Sequence, residues 1–160
     1  MTATIGDALA FATIAHSGQK YGDRPYIDHP VAVAKLIMTP HGLAPRLLIP
    51  ALLHDVVEDC GIALHELRDA GFCGEDVDTV DAVTRRSGEN YLDFVRRAAR
   101  HDRGLIVKLA DNTHNLSGLP AGDYRESRYL RARKILLDRL GYADPWYGMC
   151  PTVDHITVDG

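Results

Sequence analysis

Ala51-Leu52-Leu53-His54-Asp55-Val56-Val57-Glu58-Asp59 sets an imidazole and three carboxylates inside and just after an apolar run. Burying charge without a partner costs several kcal/mol or shifts the pKa until the group neutralises, so this is a poor way to build a core. A bound cation would offset the cost. On a helix of about 3.6 residues per turn, His54 stacks over Glu58 and Asp55 over Asp59, and all four fit one polar sector. The upper pair offers one nitrogen and one oxygen to a divalent metal. The lower pair, one turn away, is placed to orient water or move a proton. The plainer reading, an acidic solvated helix end, suits Glu58-Asp59 alone better than it suits His54-Asp55. The stretch is thus read as half of a metal-dependent hydrolytic site.

The helix carrying it is expected to run from about residue 45 to 58. Its apolar residues (Leu47, Leu48, Ile49, Leu52, Leu53, Val56, Val57) cover much of the circumference, so it should be central and buried. Pro50 lies inside the run. Either it kinks the helix or the true start comes later, with a separate turn before it. Outward on the N-terminal side, 4–17 reads as an amphipathic helix, 19–28 as a polar loop, and a second helix starts at Asp28 or His29 with Pro30 early in it. Residues 41–45 form a connector. On the C-terminal side, helices are expected at 63–70, 75–85, 89–101, 105–117 and 123–140, with Arg103-Gly104 a break. The expected domain spans 1–141. Residues 142–160 show no clear period and are expected to form an irregular tail, with 153–158 the one candidate strand. The fold class is all-α.

The 105–117 helix repeats the oddity. Lys108, Asp111, Asn112 and Asn115 follow an i, i+3, i+4, i+7 stripe in apolar surroundings. For Lys108 and Asn112 a surface face explains the pattern about as well. Asp111 is better explained as a metal ligand or a buried, hydrogen-bonded acid. A lone His at a helix start, such as His29, is ordinarily a cap or surface group. It gains weight because a site built from His54, Asp55 and one more acid lacks a second imidazole.

Bulk properties limit the remaining classes. The 160 residues suffice for one domain with a real core, and 46% hydrophobic with 25% charged is ordinary for a globular protein. A net charge of −4 leaves no basic footprint for a nucleic acid polymer, yet a small anion needs only a local cluster of Lys and Arg. No apolar run approaches membrane-spanning length, and no signal peptide is expected before the first helix. Cys60, Cys73 and Cys150 lack CxxC spacing and suggest a reduced, cytoplasmic setting.

Three ordered motifs carry a resemblance: Tyr26-Ile27-Asp28-His29-Pro30, then His54-Asp55-Val56-Val57-Glu58-Asp59, then Lys108-Leu109-Ala110-Asp111-Asn112-Thr113-His114-Asn115. Over roughly residues 5–120 the chain resembles the HD-domain phosphohydrolases, and more narrowly the hydrolase domain of RelA/SpoT-type stringent-response proteins and the small alarmone hydrolases. The resemblance implies a compact HD fold of about seven to eight helices. It implies one divalent metal, usually manganese, on His29, His54, Asp55 and Asp111, with Glu58 and Asp59 assisting catalysis. It implies removal of the 3′-pyrophosphate from guanosine tetra- or pentaphosphate. Lys20 and Arg24 match the family's basic loop and Asn115 a position near the nucleotide; with Lys108 and Asn112 they form the expected substrate-binding set. Tyr21 or Tyr26 is a candidate base-stacking ring, with core packing the better reading for Tyr26. The competing readings are an HD-type enzyme for another nucleotide and a nucleotide-sensing module that does no catalysis. A second copy of the chain, paired through apolar residues on the late helices, is the candidate macromolecular partner.

Overall fold

The computed structural model of the protein describes residues 2–38 and 45–141. The expected tail at 142–160, its candidate strand and most of the 41–45 connector lie outside the described residues. Among the described residues the regular structure is helical except for one short hairpin. The helices are α1 (Ile5–Ala15), α2 (Asp28–Ile37), α3 (Leu48–Leu53), α4 (Val56–Cys60), α5 (Leu64–Asp69), α6 (Gly74–Val83), α7 (Tyr91–Ala98), α8 (Asp102–Ser117) and α9 (Glu126–Leu140). The hairpin pairs β1 (Lys20–Tyr21) with β2 (Arg24–Pro25), Lys20 opposite Pro25 and Tyr21 opposite Arg24. The all-α expectation therefore holds, and the polar loop before α2 is a hairpin whose turn places Gly22 at φ 62°.

Local chemistry sets the ends. Thr4 and Asp7 form a reciprocal capping box on α1, and Asn90 caps α7 by accepting from the Leu92 amide at 3.0 Å. The single helix expected over 45–58 is instead three pieces: a 3₁₀ turn (Pro45–Leu47), α3 and α4. Pro50 falls in the first turn of α3, where no backbone N–H is needed, so the later start is the reading that holds. The second break falls at His54-Asp55. His54 Nδ1 lies 2.8 Å from the Ala51 carbonyl and competes for the oxygen that the next helical amide would use. Gly104, expected to break a helix, lies inside α8. A Cβ there would meet Ala82 Cβ at 3.2 Å and the Ala98 carbonyl at 3.3 Å, so glycine lets α8 approach α6 and α7 closely.

α3 lies against α1, α2 and α6, and α8 lies against α2, α6, α7 and α9. Ala8, Ala12, Val33, Ala51, Leu53, Val56, Val77, Val80, Val95, Val107, Leu109 and Ala110 are fully buried between them. Small residues on α1 and α3 permit close approach, and leucines fill the remaining space. α2, the α3–α4 junction and α8 are thereby fixed side by side, and each carries one of the three motifs.

Candidate metal centre and cleft

His29, in the first turn of α2, is buried, as are His54 at the α3–α4 junction and Asp111 on α8. Their donor atoms lie within 4.8 Å of one another, the candidate metal-holding group among the described residues. The two Nε2 atoms are 3.2 Å apart. Asp111 Oδ1 lies 3.2 Å from His29 Nε2 and 3.8 Å from His54 Nε2. Asp55 adds Oδ2 at 3.4 Å from His29 Nε2 and 3.0 Å from His54 Nε2. Donors that share an ion at about 2.1 Å stand roughly 3 Å apart when adjacent, which is the spacing found.

The electrostatics agree with that fit. Burial works against charge on His54, yet Asp55 and Asp111 outweigh it and lift its pKa to about 10. His29 is raised as well, burial again being overcome by bonds to Asp111 and Asp55. Burial would raise the two carboxyls, but the imidazoles draw Asp55 far down, and Lys108 with the imidazoles does the same to Asp111. The pocket stabilises positive charge at its centre, as two nitrogen and two oxygen donors around a divalent ion require.

Each donor has a second contact that fixes it. Asp111 Oδ2 accepts from Lys108 Nζ at 2.7 Å and Oδ1 from Asn115 Nδ2 at 2.6 Å. Asn115 Oδ1 in turn accepts from the Tyr21 hydroxyl at 2.9 Å. The Tyr26 hydroxyl lies 2.8 Å from Asp55 Oδ2 and 2.7 Å from Asp59 Oδ2, and with one proton it donates to one of them at a time. Burial and the Asp55 charge push the Tyr26 pKa up, so it remains a donor. Tyr21 is stacked on His29, centroids 4.8 Å apart and planes 8° from parallel. His29 Nδ1 meets His114 Nδ1 at 2.8 Å, and burial lowers the His114 pKa to about 4.

His29, Asp55 and Asp111 line a cleft of about 530 Å³, with the buried His54 in contact with His29 and Asp55. Glu58 and Asp59 line it on the α4 side. Glu58 Oε2 accepts from the Arg85 amide at 2.9 Å, and desolvation holds its pKa above the usual carboxylate range. The Arg85 segment is itself clamped. Arg97 grips the Glu89 carboxylate with two bonds of 2.8 Å and reaches the Thr84 carbonyl at 2.8 Å, while Arg85 donates to the Glu89 carbonyl. Lys20, Lys108, Arg85, Arg125 and Arg128 supply the cleft's cations. Lys108 Nζ sits 4.7 Å from the Phe94 ring centre. Arg128 lies over Tyr91 at 4.8 Å and Tyr129 at 5.2 Å, and its buried Nε has no hydrogen-bond partner among the described residues.

The structure thus brings His29, His54, Asp55, Asp111, Glu58, Asp59, Lys20, Lys108 and Asn115 to one place. Two of the expected substrate contacts sit elsewhere. Arg24 pairs with Asp28 at 2.7 Å and lines a separate cavity behind His29. Asn112 is buried and donates to the Tyr129 carbonyl at 3.1 Å, because its position on the α8 stripe faces α9 rather than the cleft. Sequence reasoning missed the outer wall, Tyr91, Arg125, Arg128 and Tyr129. In sequence Arg125, Arg128 and Tyr129 look like the solvated face of an Arg-rich helix, and their i, i+3, i+4 spacing was the available signal; Tyr91 reads as an inward residue of the 89–101 helix.

A family model described as HD domain matches residues 8–136. Among similar proteins, a Haemophilus influenzae protein named guanosine-3′,5′-bis(diphosphate) 3′-pyrophosphohydrolase is 35% identical over 136 residues, covering 78% of this chain and 20% of the relative. The Streptomyces coelicolor protein named GTP pyrophosphokinase is 39% identical over 133 residues, covering 74% of this chain and 14% of the relative. The Escherichia coli K12 bifunctional (p)ppGpp synthase/hydrolase SpoT is 32% identical over 145 residues, covering 84% of this chain and 20% of the relative. The chain spans about a fifth or less of the length of these curated relatives. A solved structure described as a metazoan ortholog of SpoT that hydrolyzes ppGpp aligns with a TM-score of 0.72 at 25% identity, over 88% of this chain and 86% of that one. The chain belongs to the HD domain family. Among the described residues no helix is long and apolar enough to cross a membrane.

Proposed function

We propose that this protein is a metal-dependent phosphohydrolase that removes pyrophosphate from the 3′ position of guanosine 3′,5′-bispyrophosphate (ppGpp). The observation that carries this reading is the convergence of His29, His54, Asp55 and Asp111 beside a cleft whose lining supplies both an acidic pair and five cations. The naming of its relatives as ppGpp hydrolases supports the substrate. His29, His54, Asp55 and Asp111 would hold one divalent ion, manganese in our reading, which when bound polarises a phosphoryl oxygen and acidifies a water.

The chain's own residues then do the following. Lys108 and Asn115 keep Asp111 ionised and oriented, and Tyr26 and the imidazoles do the same for Asp55. Glu58, with its pKa raised by desolvation, takes a proton from the attacking water or gives one to the departing 3′ oxygen as the phosphorus–oxygen bond breaks. Asp59, tied to Asp55 through Tyr26, positions the water. Lys20 and Arg85 neutralise the diphosphate being removed. Arg125 and Arg128 on the outer wall face the 5′-diphosphate end, and the Tyr91 and Tyr129 rings offer faces to the base.

Incubating the Mn²⁺-loaded protein with a panel of nucleotides, with products identified by ion exchange, tests this. Release of pyrophosphate and GDP from ppGpp is the expected result. Turnover of a different nucleotide but not ppGpp would leave a phosphohydrolase of another substrate. No product at full metal occupancy would leave a sensing module.

A further inference from the structure

The two histidines of the metal centre present Nε2 to the same point, but their outer nitrogens end differently. His54 Nδ1 lies 2.8 Å from the Ala51 carbonyl. His29 Nδ1 lies 2.8 Å from another imidazole, His114 Nδ1. We infer that His114 is a positioning residue that fixes the tautomer and ring orientation in which His29 can hold a metal ion. The inference rests on the metal reading of the site.

Two imidazole nitrogens at this distance need one proton between them. His29 Nε2 faces Asp55 Oδ2 and Asp111 Oδ1, so it is the nitrogen that must be bare to ligate. The shared proton therefore stays on His29 Nδ1, His114 Nδ1 accepts it, and the proton of His114 sits on Nε2. Metal-bound histidines ordinarily donate their outer N–H to a carboxylate, a carbonyl or water, and this partner tunes the ligand. Here a neutral imidazole takes that place.

The arrangement follows from one helix. Asp111 and His114 stand three residues apart on α8, so they project to neighbouring positions on one face. Asp111 meets His29 at Nε2, and His114 meets the same ring at Nδ1. α8 thus holds the His29 ring at both nitrogens. Tyr21 closes the third side, stacked on His29 and 5.4 Å from the His114 ring centre. The Tyr21 hydroxyl is anchored by Asn115, the residue that also bonds Asp111.

Two substitutions separate positioning from packing. His114→Asn keeps an acceptor oxygen near the place of Nδ1; His114→Phe fills the space with none. Mn²⁺ affinity is measured by calorimetry at fixed pH on chelator-stripped protein, with melting of the stripped forms alongside. His114→Phe should bind Mn²⁺ about 10- to 100-fold more weakly, and His114→Asn within about threefold of the parent. Equal affinity in His114→Phe, or equal weakening in both folded variants, would overturn the assignment. If His114→Phe fails to fold, ¹⁵N imidazole shifts of the unsubstituted, metal-free protein decide. A proton on His114 Nε2 with Nδ1 bare is expected, and a proton on His114 Nδ1 overturns the assignment. Absence of Mn²⁺ binding by the unsubstituted protein would sink the metal reading itself, whereas normal binding with an unaffected His114→Phe sinks the positioning role alone.

Discussion

His54 and His29 converge on one point from opposite kinds of support. His54 is oriented from within its own segment, by the carbonyl of the residue three places earlier. His29 is oriented by a side chain on α8, 85 residues away. The first support is backbone and survives most substitutions; the second is a side chain and is removed by one. The α3–α4 half of the centre is therefore local and nearly self-contained, while the α2–α8 half exists only when two helices dock.

Several measurements break or sharpen that contrast. The largest effect is expected at the donors themselves. His54→Ala or Asp111→Asn should abolish Mn²⁺ binding in calorimetry and reduce turnover by more than about 10³-fold. If either binds and turns over normally, the two halves do not form one centre. Glu58→Gln should reduce turnover by about 10²- to 10⁴-fold while leaving Mn²⁺ affinity intact, because it removes proton transfer and not a ligand. Loss of metal binding in that variant would move Glu58 into the centre.

The two imidazoles also set a pH dependence. An ordinary histidine titrates near 6.5, whereas folding lifts His54 to about 10 and raises His29. The stability this supplies to the metal-free protein is fully present below about pH 6.5 and is lost as pH rises toward 10. The melting temperature of chelator-treated protein should fall across that window, and the gain on adding Mn²⁺ should grow across it as protons cease to compete. A flat profile would mean the imidazoles are not coupled to Asp55 and Asp111. On the outer wall, Arg128→Gln should raise KM roughly tenfold with little change in kcat, the cost of one charge-assisted contact. An unchanged KM would remove Arg128 from the binding surface. The smallest effect is expected at Ala51→Gly. It should cost about 1 kcal/mol in urea unfolding yet leave Mn²⁺ affinity almost unaltered, because the carbonyl that orients His54 remains.

The same contrast explains what could be read from sequence. His54, Asp55, Glu58 and Asp59 share a short stretch, so helical periodicity alone put them in one polar sector. Asp111 stood out as an acid in apolar surroundings. The family resemblance placed His29 with them, the first helix is legible in its amphipathic period, and Pro50 signals an interruption without deciding between a kink and a later start. What escaped were relations between distant segments. Nothing near Asn112 signals that it faces α9, and nothing near His114 signals a partner 85 residues earlier. Gly104 reads as a breaker by composition, and only the closeness of α6 and α7 explains a glycine within α8. The helix break at His54 also escaped, because a side chain taking a backbone acceptor leaves no trace in hydrophobic pattern.

Asn112 lies outside the cleft lining, and its contact has a consequence for how the cleft is held. Its amide holds the Tyr129 carbonyl at 3.1 Å, and the buried Arg133 reaches Thr113 Oγ1 at 2.7 Å. Two successive residues of α8 thus bolt α9 down behind the cleft, while Asp111, the residue before them, faces the metal centre. The floor and the outer wall are consequently carried on one rigid frame. On the proposed function, the spacing these two bonds hold between floor and wall sets the separation of charged ends that a ligand must span.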